Sequence, residues 1–297
     1  MASRIIFTVN IVIDDKKLDN PNWWSKDGFK ISTKKSITTK YSFLEWENKL
    51  INNQRNYARL CGADYEVMGN DKLYKKFYKN FRKNYPHISD YDIINFYKHH
   101  CMLEFSKKYD EVCYFDLDVI ANTEENIFEA HDIHNKFACG EQNSEALYGK
   151  TVRPSDYLLC IRNPASKYWN CFALLLDAGY RKEEADTDVF NTGIMVASSK
   201  QIQKLDYFNN LFDILEDMKY LKEDTSLFHP NIVRSFNYDN ETIFAFKRVV
   251  NSIDIDYINE DWHQRVLDDF PYMEDSKIFH VINKKFGLFN HILDRDV

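Results

Sequence analysis

Apolar residues crowd the stretch Arg4 to Ile13. Ile5, Ile6, Phe7, Val9, Ile11, Val12 and Ile13 follow one another with only Thr8 and Asn10 between them, the pattern of a strand covered on both faces. The next segment, Trp23 to Lys40, is irregular and flanked or punctuated by Pro21 and Gly28, and it reads as a loop. Ser42 and Glu45 then have capping-box spacing. Behind them Phe43, Trp46, Leu50, Ile51, Gln54, Tyr57, Ala58 and Cys61 recur at helical intervals, with Gly62 as a stop. Tyr65 to Met68 is a short strand ending at Gly69-Asn70. The chain therefore opens β–α–β, as a doubly wound sheet does.

The stretch Lys72 to Tyr85 is basic and aromatic. A helix is predicted from Ser89 or Asp90 to about Lys108, and a strand over Glu111–Phe115. Asp116 and Asp118 stand at the carboxyl end of that strand, where open α/β sheets bind ligands. Further on, the pattern predicts a strand over Lys136–Gly140 and a helix over Lys167–Ala178 closed by Gly179. A strand over Gly193–Ala197 leads to one helix from Lys200 to about Leu221, capped by Ser198 or Ser199. A helix over Asn240–Phe246 and a strand over Lys277–Ile282 follow, then a basic turn, Asn283-Lys284-Lys285. With 8 Gly, 6 Pro and no repeat, nothing marks a domain joint. The expectation is one α/β domain over residues 1–297, with a mixed, mostly parallel central sheet flanked by helices.

Charge narrows the function. The net charge is −7 and the basic residues are dispersed, which disfavours a nucleic-acid binder. Of the six cysteines (Cys61, Cys101, Cys113, Cys139, Cys160, Cys171) none forms a Cys-x-x-Cys pair and several lie in apolar runs, so free thiols in a reducing compartment are expected. The apolar run at Ile5–Ile13 is too short for a membrane span and lacks a signal-peptide cleavage pattern, so the expected location is cytoplasmic. Aromatic residues make up 15% of the chain, mostly for the core, with some available to stack on bases or sugars.

Asp116-Leu117-Asp118 is the chief chemical candidate. Residues i and i+2 of an extended segment project to one side, so both carboxylates can face one hard divalent ion that keeps positions open for phosphate oxygens. The structural alternative is a chance Asp-x-Asp that caps a strand.

The run Tyr109 to Asn122 resembles the Asp-x-Asp segment of family-8-like GT-A glycosyltransferases. Phe190-Asn191-Thr192-Gly193-Ile194-Met195-Val196 is similar to their Asn-small-Gly turn at the donor sugar, and Phe279-His280-Val281-Ile282-Asn283-Lys284-Lys285 to their C-terminal His segment. The three fall in the family's order and span nearly the whole chain. The last departs from the family's His-x-x-Gly-x-x-Lys-Pro-Trp: Asn283 replaces the Gly, the lysines come early and Pro-Trp is absent, which leaves the phosphate contact open between Lys284 and Lys285.

The resemblance implies a Rossmann-like GT-A fold and transfer of a hexosyl or pentosyl group from a nucleotide-diphosphate sugar, above all a UDP-sugar, to a hydroxyl of a glycan or glycoprotein. It implies Mn²⁺ or Mg²⁺ on Asp116, Asp118 and His280. Donor contacts would come from Thr8, Val9, Asn10, Lys98, Phe115, Asp116, Leu117, Asp118, Asn191, Thr192, Gly193, Lys284 and Lys285, and chemistry from Asp239 or Glu241. The loop Trp23–Lys40 and the stretch Gly140–Ser155 would shape the acceptor site. Each residue has a plainer reading. His280 could be a satisfied strand histidine, Lys98 a helix-surface lysine, Asn191 a turn former, and Asp239 an N-cap with Glu241 in the first turn. Two rival functions are a nucleotide-sugar-binding protein without turnover and a haloacid-dehalogenase-type phosphatase. The latter normally places its Asp-x-Asp on the first strand and carries a later Gly-Asp-x-x-x-Asp, which is missing here.

Overall fold

The computed structural model describes residues 2–13, 33–86, 88–141, 163–223, 239–268 and 272–295. Strand β1 (Arg4–Val9) is buried from Ile5 onward because its residues divide between two apolar layers. Ile5, Phe7 and Val9 join one core cluster and Ile6 the other. Strand β3 (Glu111–Phe115) divides the same way, Val112 and Tyr114 against Cys113 and Phe115. That two-residue period with both sets apolar requires helices on both faces.

Strand β2 (Asp64–Met68) and β1 pair in parallel, as do β1 and β3. Strand β6 (Phe190–Ser198) runs antiparallel to both β3 and β5 (Phe137–Glu141), and β5 pairs in parallel with β7 (Ile255–Ile258). The six-stranded order is β2-β1-β3-β6-β5-β7, a mixed and mostly parallel sheet as expected. A second sheet of three short strands, β4 (Val119–Ala121), β9 (Ile278–His280) and β8 (Gln264–Arg265), stands beside it in the order β4-β9-β8.

Helix α1 (Thr33–Leu60) begins nine residues before Ser42. Ser42 and Glu45 are therefore inside the helix and cap nothing. The loop expected over Trp23–Lys40 is helical from Thr33, and its earlier part lies outside the described residues. Gly62 (φ +63°) ends this helix in the left-handed region as expected. Helix α2 (Lys72–Asn84) occupies the basic aromatic stretch, burying Tyr74, Phe77 and Phe81 and capped by Asp71. Helix α3 (Asp90–Phe105) starts at the N-cap Ser89, and α4 (Asn163–Asp177) precedes Gly179 at φ +87°.

The single helix expected over Lys200–Leu221 is two, α5 (Ser199–Leu205) and α6 (Leu211–Glu223). Asp206 and Asn210 both adopt positive φ between them, and Asn-rich turns accept that conformation readily. Helix α7 (Asn240–Val250) is capped by Asp239. Strand β1 stops at Val9 rather than Ile13, and the last strand covers three residues rather than six. Most of the acceptor-shaping stretch Gly140–Ser155 lies outside the described residues, as does Cys160. The other five cysteines are buried, and Cys61, Cys101, Cys113 and Cys171 are free thiols. No helix among the described residues is long and apolar enough to cross a membrane.

A third apolar cluster backs the small sheet. Leu50 of α1 meets Leu117, Ile120, Val266, Phe279, Val281, Phe286 and Phe289 there. This cluster clamps the segment after β3 against the C-terminal segment, and the candidate site forms where they meet.

Candidate functional site

The Asp116–Asp118 segment is held by its backbone before its side chains do anything. Asp116 N–H donates to the Gly193 carbonyl at 2.8 Å, extending the β3–β6 ladder by one bond. The Gln54 amide donates to the carbonyls of Asp116 (3.0 Å) and Val119 (2.9 Å), and the Tyr65 hydroxyl in turn donates to Gln54 Oε1 at 3.0 Å. A polar residue on the buried stripe of α1 thus satisfies the carbonyls of a tight turn that no strand partner reaches.

His280 arrives by register. In the antiparallel β4–β9 ladder Val119 lies opposite His280, and Val281 N–H donates to the Asp118 carbonyl at 2.9 Å. Asp116, Asp118 and His280 each offer one ligand atom, and the three atoms lie within 4.8 Å of one another. His280 Nε2 stands 3.6 Å from Asp116 Oδ2 and 3.4 Å from Asp118 Oδ2. Two carboxylate oxygens and an imidazole nitrogen converging this way are a donor set for Mg²⁺ or Mn²⁺. Gly193 makes room for the ring: a Cβ there would lie 2.3 Å from His280 Cε1 and 2.6 Å from Nδ1.

Cationic groups surround the acids. Lys284, at φ +60°, turns its ammonium onto Asp118 and lies 4.9 Å above the Phe43 ring. Burial works to raise the Asp118 pKa, but the Lys284 ammonium above all overcomes it and holds the carboxyl well below the usual range. The Tyr114 hydroxyl donates to Asp116 Oδ1. Lys98 on α3 is buried, donates to the Thr192 carbonyl at 3.0 Å and stands 3.8 Å from Asp116 Oδ1. Burial lowers its pKa against the pull of Asp116, Asp239 and Asp118.

Glu241 is buried, pairs with Lys167 of α4, and accepts from the Thr192 backbone N–H (2.7 Å) and hydroxyl (3.2 Å). Asp239 caps α7 by accepting from Glu241 N–H at 2.8 Å, and its other oxygen lies 3.9 Å from Lys167. Asn240 donates to Thr192 Oγ1 at 3.0 Å and lies 3.3 Å from His99 Nε2, whose ring stacks on Tyr207 at 4.0 Å.

The remaining expected residues divide. Asn191 Oδ1 accepts from Gly193 N–H at 2.9 Å, a local turn bond. Phe115 stacks on Tyr57 in one core cluster, Leu117 packs in another and Val9 in a third, so their side chains are committed to packing. Asn10 donates to Glu47 at 2.8 Å. Thr8 is fully buried beside Phe115, and its hydroxyl has no partner among the described residues. Lys285 is exposed and pairs with Asp268 at 2.9 Å, away from Asp118. Gln54, Lys167 and His263 also belong to the site, and the sequence carried no signal for the last two. Gln54 falls on the helical stripe of α1 read from the sequence, where it is the one amide among apolar neighbours.

No family model matches the chain, and no curated protein matches it. Among solved structures, the apo form of mouse xyloside xylosyltransferase 1 is similar over 95% of this chain and 97% of that one, at 9% identity and a TM-score of 0.47. The galactosyltransferase LgtC, in complex with donor and acceptor sugar analogues, is similar over 94% and 87%, at 11% identity and a TM-score of 0.40. A glycosyltransferase involved in glycosylation of the major capsid of PBCV-1 is similar over 98% of each chain, at 9% identity and a TM-score of 0.40. Likenesses this weak assign neither family nor activity.

Proposed function

We propose that the chain is a glycosyltransferase that binds a nucleotide-diphosphate sugar at the carboxyl ends of β1 and β3 and passes the glycosyl group to an acceptor hydroxyl. The observation that carries this reading is the meeting of Asp116, Asp118 and His280, drawn from distant segments, with Lys284 and Lys98 flanking them. These three side chains would hold Mn²⁺ or Mg²⁺, which when bound supplies positive charge to a departing diphosphate. Lys284, already facing Asp118, adds charge at the same place and is favoured over Lys285. In the transfer, the acceptor oxygen bonds to the anomeric carbon as the bond to the diphosphate oxygen breaks. The electron pair leaves with the diphosphate, and the hydroxyl proton passes to a carboxylate. Asp239 is the partly exposed acid of its pair and takes that role; Glu241, buried on Lys167, fixes Thr192 and with it the carbonyl that anchors Lys98.

The test is a panel of nucleotide sugars assayed with Mn²⁺ for transfer and slow hydrolysis. Turnover of one donor, lost in Asp118→Ala, supports the reading. Tight nucleotide binding without turnover of any donor points instead to a binding protein. Phosphate release from simple phosphomonoesters, with nucleotide sugars untouched, overturns both.

A further inference from the structure

His263 lies immediately before β8 and is 4% exposed. Its Nε2 stands 3.0 Å from His280 Nδ1, with the two rings 13° from coplanar orientation. We infer that His263 is a positioning residue for the candidate metal centre: it accepts the Nδ1 proton of His280 and so leaves the His280 Nε2 lone pair aimed at Asp116 and Asp118. The inference rests on the metal reading above and adds a residue to it.

Two imidazole nitrogens at that distance share one proton, donated by His263 or by His280, and the distances around His280 Nε2 bear on whether that nitrogen carries a proton of its own. If His263 donated, His280 would carry its own proton on Nε2, facing two carboxylates. An N–H between two carboxylates closes to roughly 2.7–3.2 Å on one of them. Neither does so here, since the oxygens stand at 3.4 and 3.6 Å. Both acids have other donors as well, Lys284 on Asp118 and the Tyr114 hydroxyl on Asp116. The separations suit donors converging on a shared cation better than a hydrogen bond. The other arrangement, with His280 donating from Nδ1, is the one in which the second ring nitrogen of a ligating histidine is fixed by an outer partner.

Packing holds both rings in place. A Cβ on Gly140 would lie 2.0 Å from His263 Nδ1, as one on Gly193 would lie 2.3 Å from His280 Cε1. The two glycines open adjoining slots. The backbone of β8 keeps His263 in its slot, because Gln264 pairs with Phe279 and Arg265 with His280 in the parallel β8–β9 ladder. One slot without the other would leave the His280 ring free to turn about its Cβ–Cγ bond.

The experiment uses the full chain with ¹⁵N-labelled histidine, without metal, and reads the ring-nitrogen shifts of His280. The expected wild-type spectrum shows the Nδ1–H form, and His263→Phe shifts it toward Nε2–H or a mixture. An Nε2–H form in the wild type, or the same form in both proteins, overturns the assignment. The second arm titrates Mn²⁺ alone, followed by electron paramagnetic resonance of the free ion. His263→Phe is expected to weaken Mn²⁺ binding by about 10–100-fold, and His263→Gln, whose Oε1 can accept from His280, to recover most of it. Unchanged Mn²⁺ affinity in His263→Phe overturns the proposal. A wild type that takes up no Mn²⁺ while showing the Nδ1–H form sinks the metal reading but supports the hydrogen bond assigned here. If His263→Phe does not fold, the wild-type spectrum and His263→Gln still decide.

Discussion

Two acid pairs face the same part of the molecule, each with a lysine on one of its acids, and differ in what else converges on them. At the head of α7, Glu241 is closed off by Lys167, by the Thr192 N–H and by the Thr192 hydroxyl. At the end of β3, Asp118 is paired with Lys284 and Asp116 accepts from the Tyr114 hydroxyl, but Asp116 Oδ2 and Asp118 Oδ2 also both face the His280 ring nitrogen, at 3.6 and 3.4 Å, longer than an ordinary N–H···O bond. A carboxylate saturated by the chain's own donors contributes to structure, and taking it away leaves a buried counter-charge. A carboxylate on which a second carboxylate and a ring nitrogen converge is part of a ligand set for an ion. The difference lies in the neighbours, since both pairs are short acidic motifs.

The sharpest way to break this comparison is to remove one acid from each pair. In Asp118→Ala, Mn²⁺-dependent turnover of the preferred nucleotide sugar is expected to fall at least ~10³-fold, about 4 kcal/mol of transition-state stabilisation. Retained turnover would show that the pair at β3 is as structural as the one at α7. Glu241→Ala is expected to act on stability, costing about 3–5 kcal/mol because buried Lys167 loses its closer carboxylate and the buried Thr192 N–H its acceptor. Urea unfolding measures it. Replacing both partners, Lys167→Met with Glu241→Leu, should restore only the ion-pair part of that loss, since the Thr192 N–H still lacks its acceptor. A Glu241→Ala protein of wild-type stability would end the distinction.

The sequence made one of these regions much more readable than the other. Strand β3 falls on the expected residues because an unbroken apolar run between polar residues has few alternatives. Gly62 and Gly179 stop their helices at positive φ, a local requirement with a local signal. His280 was visible only through the family-like motif around it, since a three-residue strand has no periodicity to detect. Lys167 and His263 were not visible at all. Each is defined by a partner far away in the chain, Glu241 and His280, and nothing in the flanking residues encodes the pairing. The break between α5 and α6 was missed for a different reason. Tyr207, Phe208 and Leu211 continue a helical apolar spacing, while Asn209 and Asn210 favour the turn that forms.

A smaller change tests whether the β3 pair depends on its packing. Gly193 does not adopt positive φ, so its requirement is space and not backbone freedom. In Gly193→Ala the new methyl would press on the His280 ring. The expected cost is about 1–3 kcal/mol in urea unfolding, together with weaker Mn²⁺ binding as the ring is displaced from Asp116 and Asp118. Unchanged stability and Mn²⁺ binding would mean that the ring has room to move, and that its place beside the carboxylates is not set by the glycine.

The last expected effect concerns Asp92, which shares the electrostatic field of the α7 pair. Burial pushes its carboxyl up to about 7, against the Ser89 hydrogen bond, and the charge on Asp239 pushes it further the same way. An unfolded Asp titrates near ~3.9. A raised folded value means that the stability contribution is complete below that pH and is lost as pH rises through about 7. Asp92→Asn removes the titration while keeping a side chain that can accept from Ser89. The variant should match wild-type stability near pH 4 and exceed it at pH 8, with the difference opening between about pH 4 and 7, measured by urea unfolding across that range. Asp239→Asn should reduce the pH dependence in the same direction, because it removes one of the charges that raises Asp92. If Asp92→Asn has the same pH dependence as the wild type, Asp92 is ionised at no unusual cost. The α7 region would then carry charge more easily than its burial implies, and Glu241 would be less dependent on Lys167 than argued above.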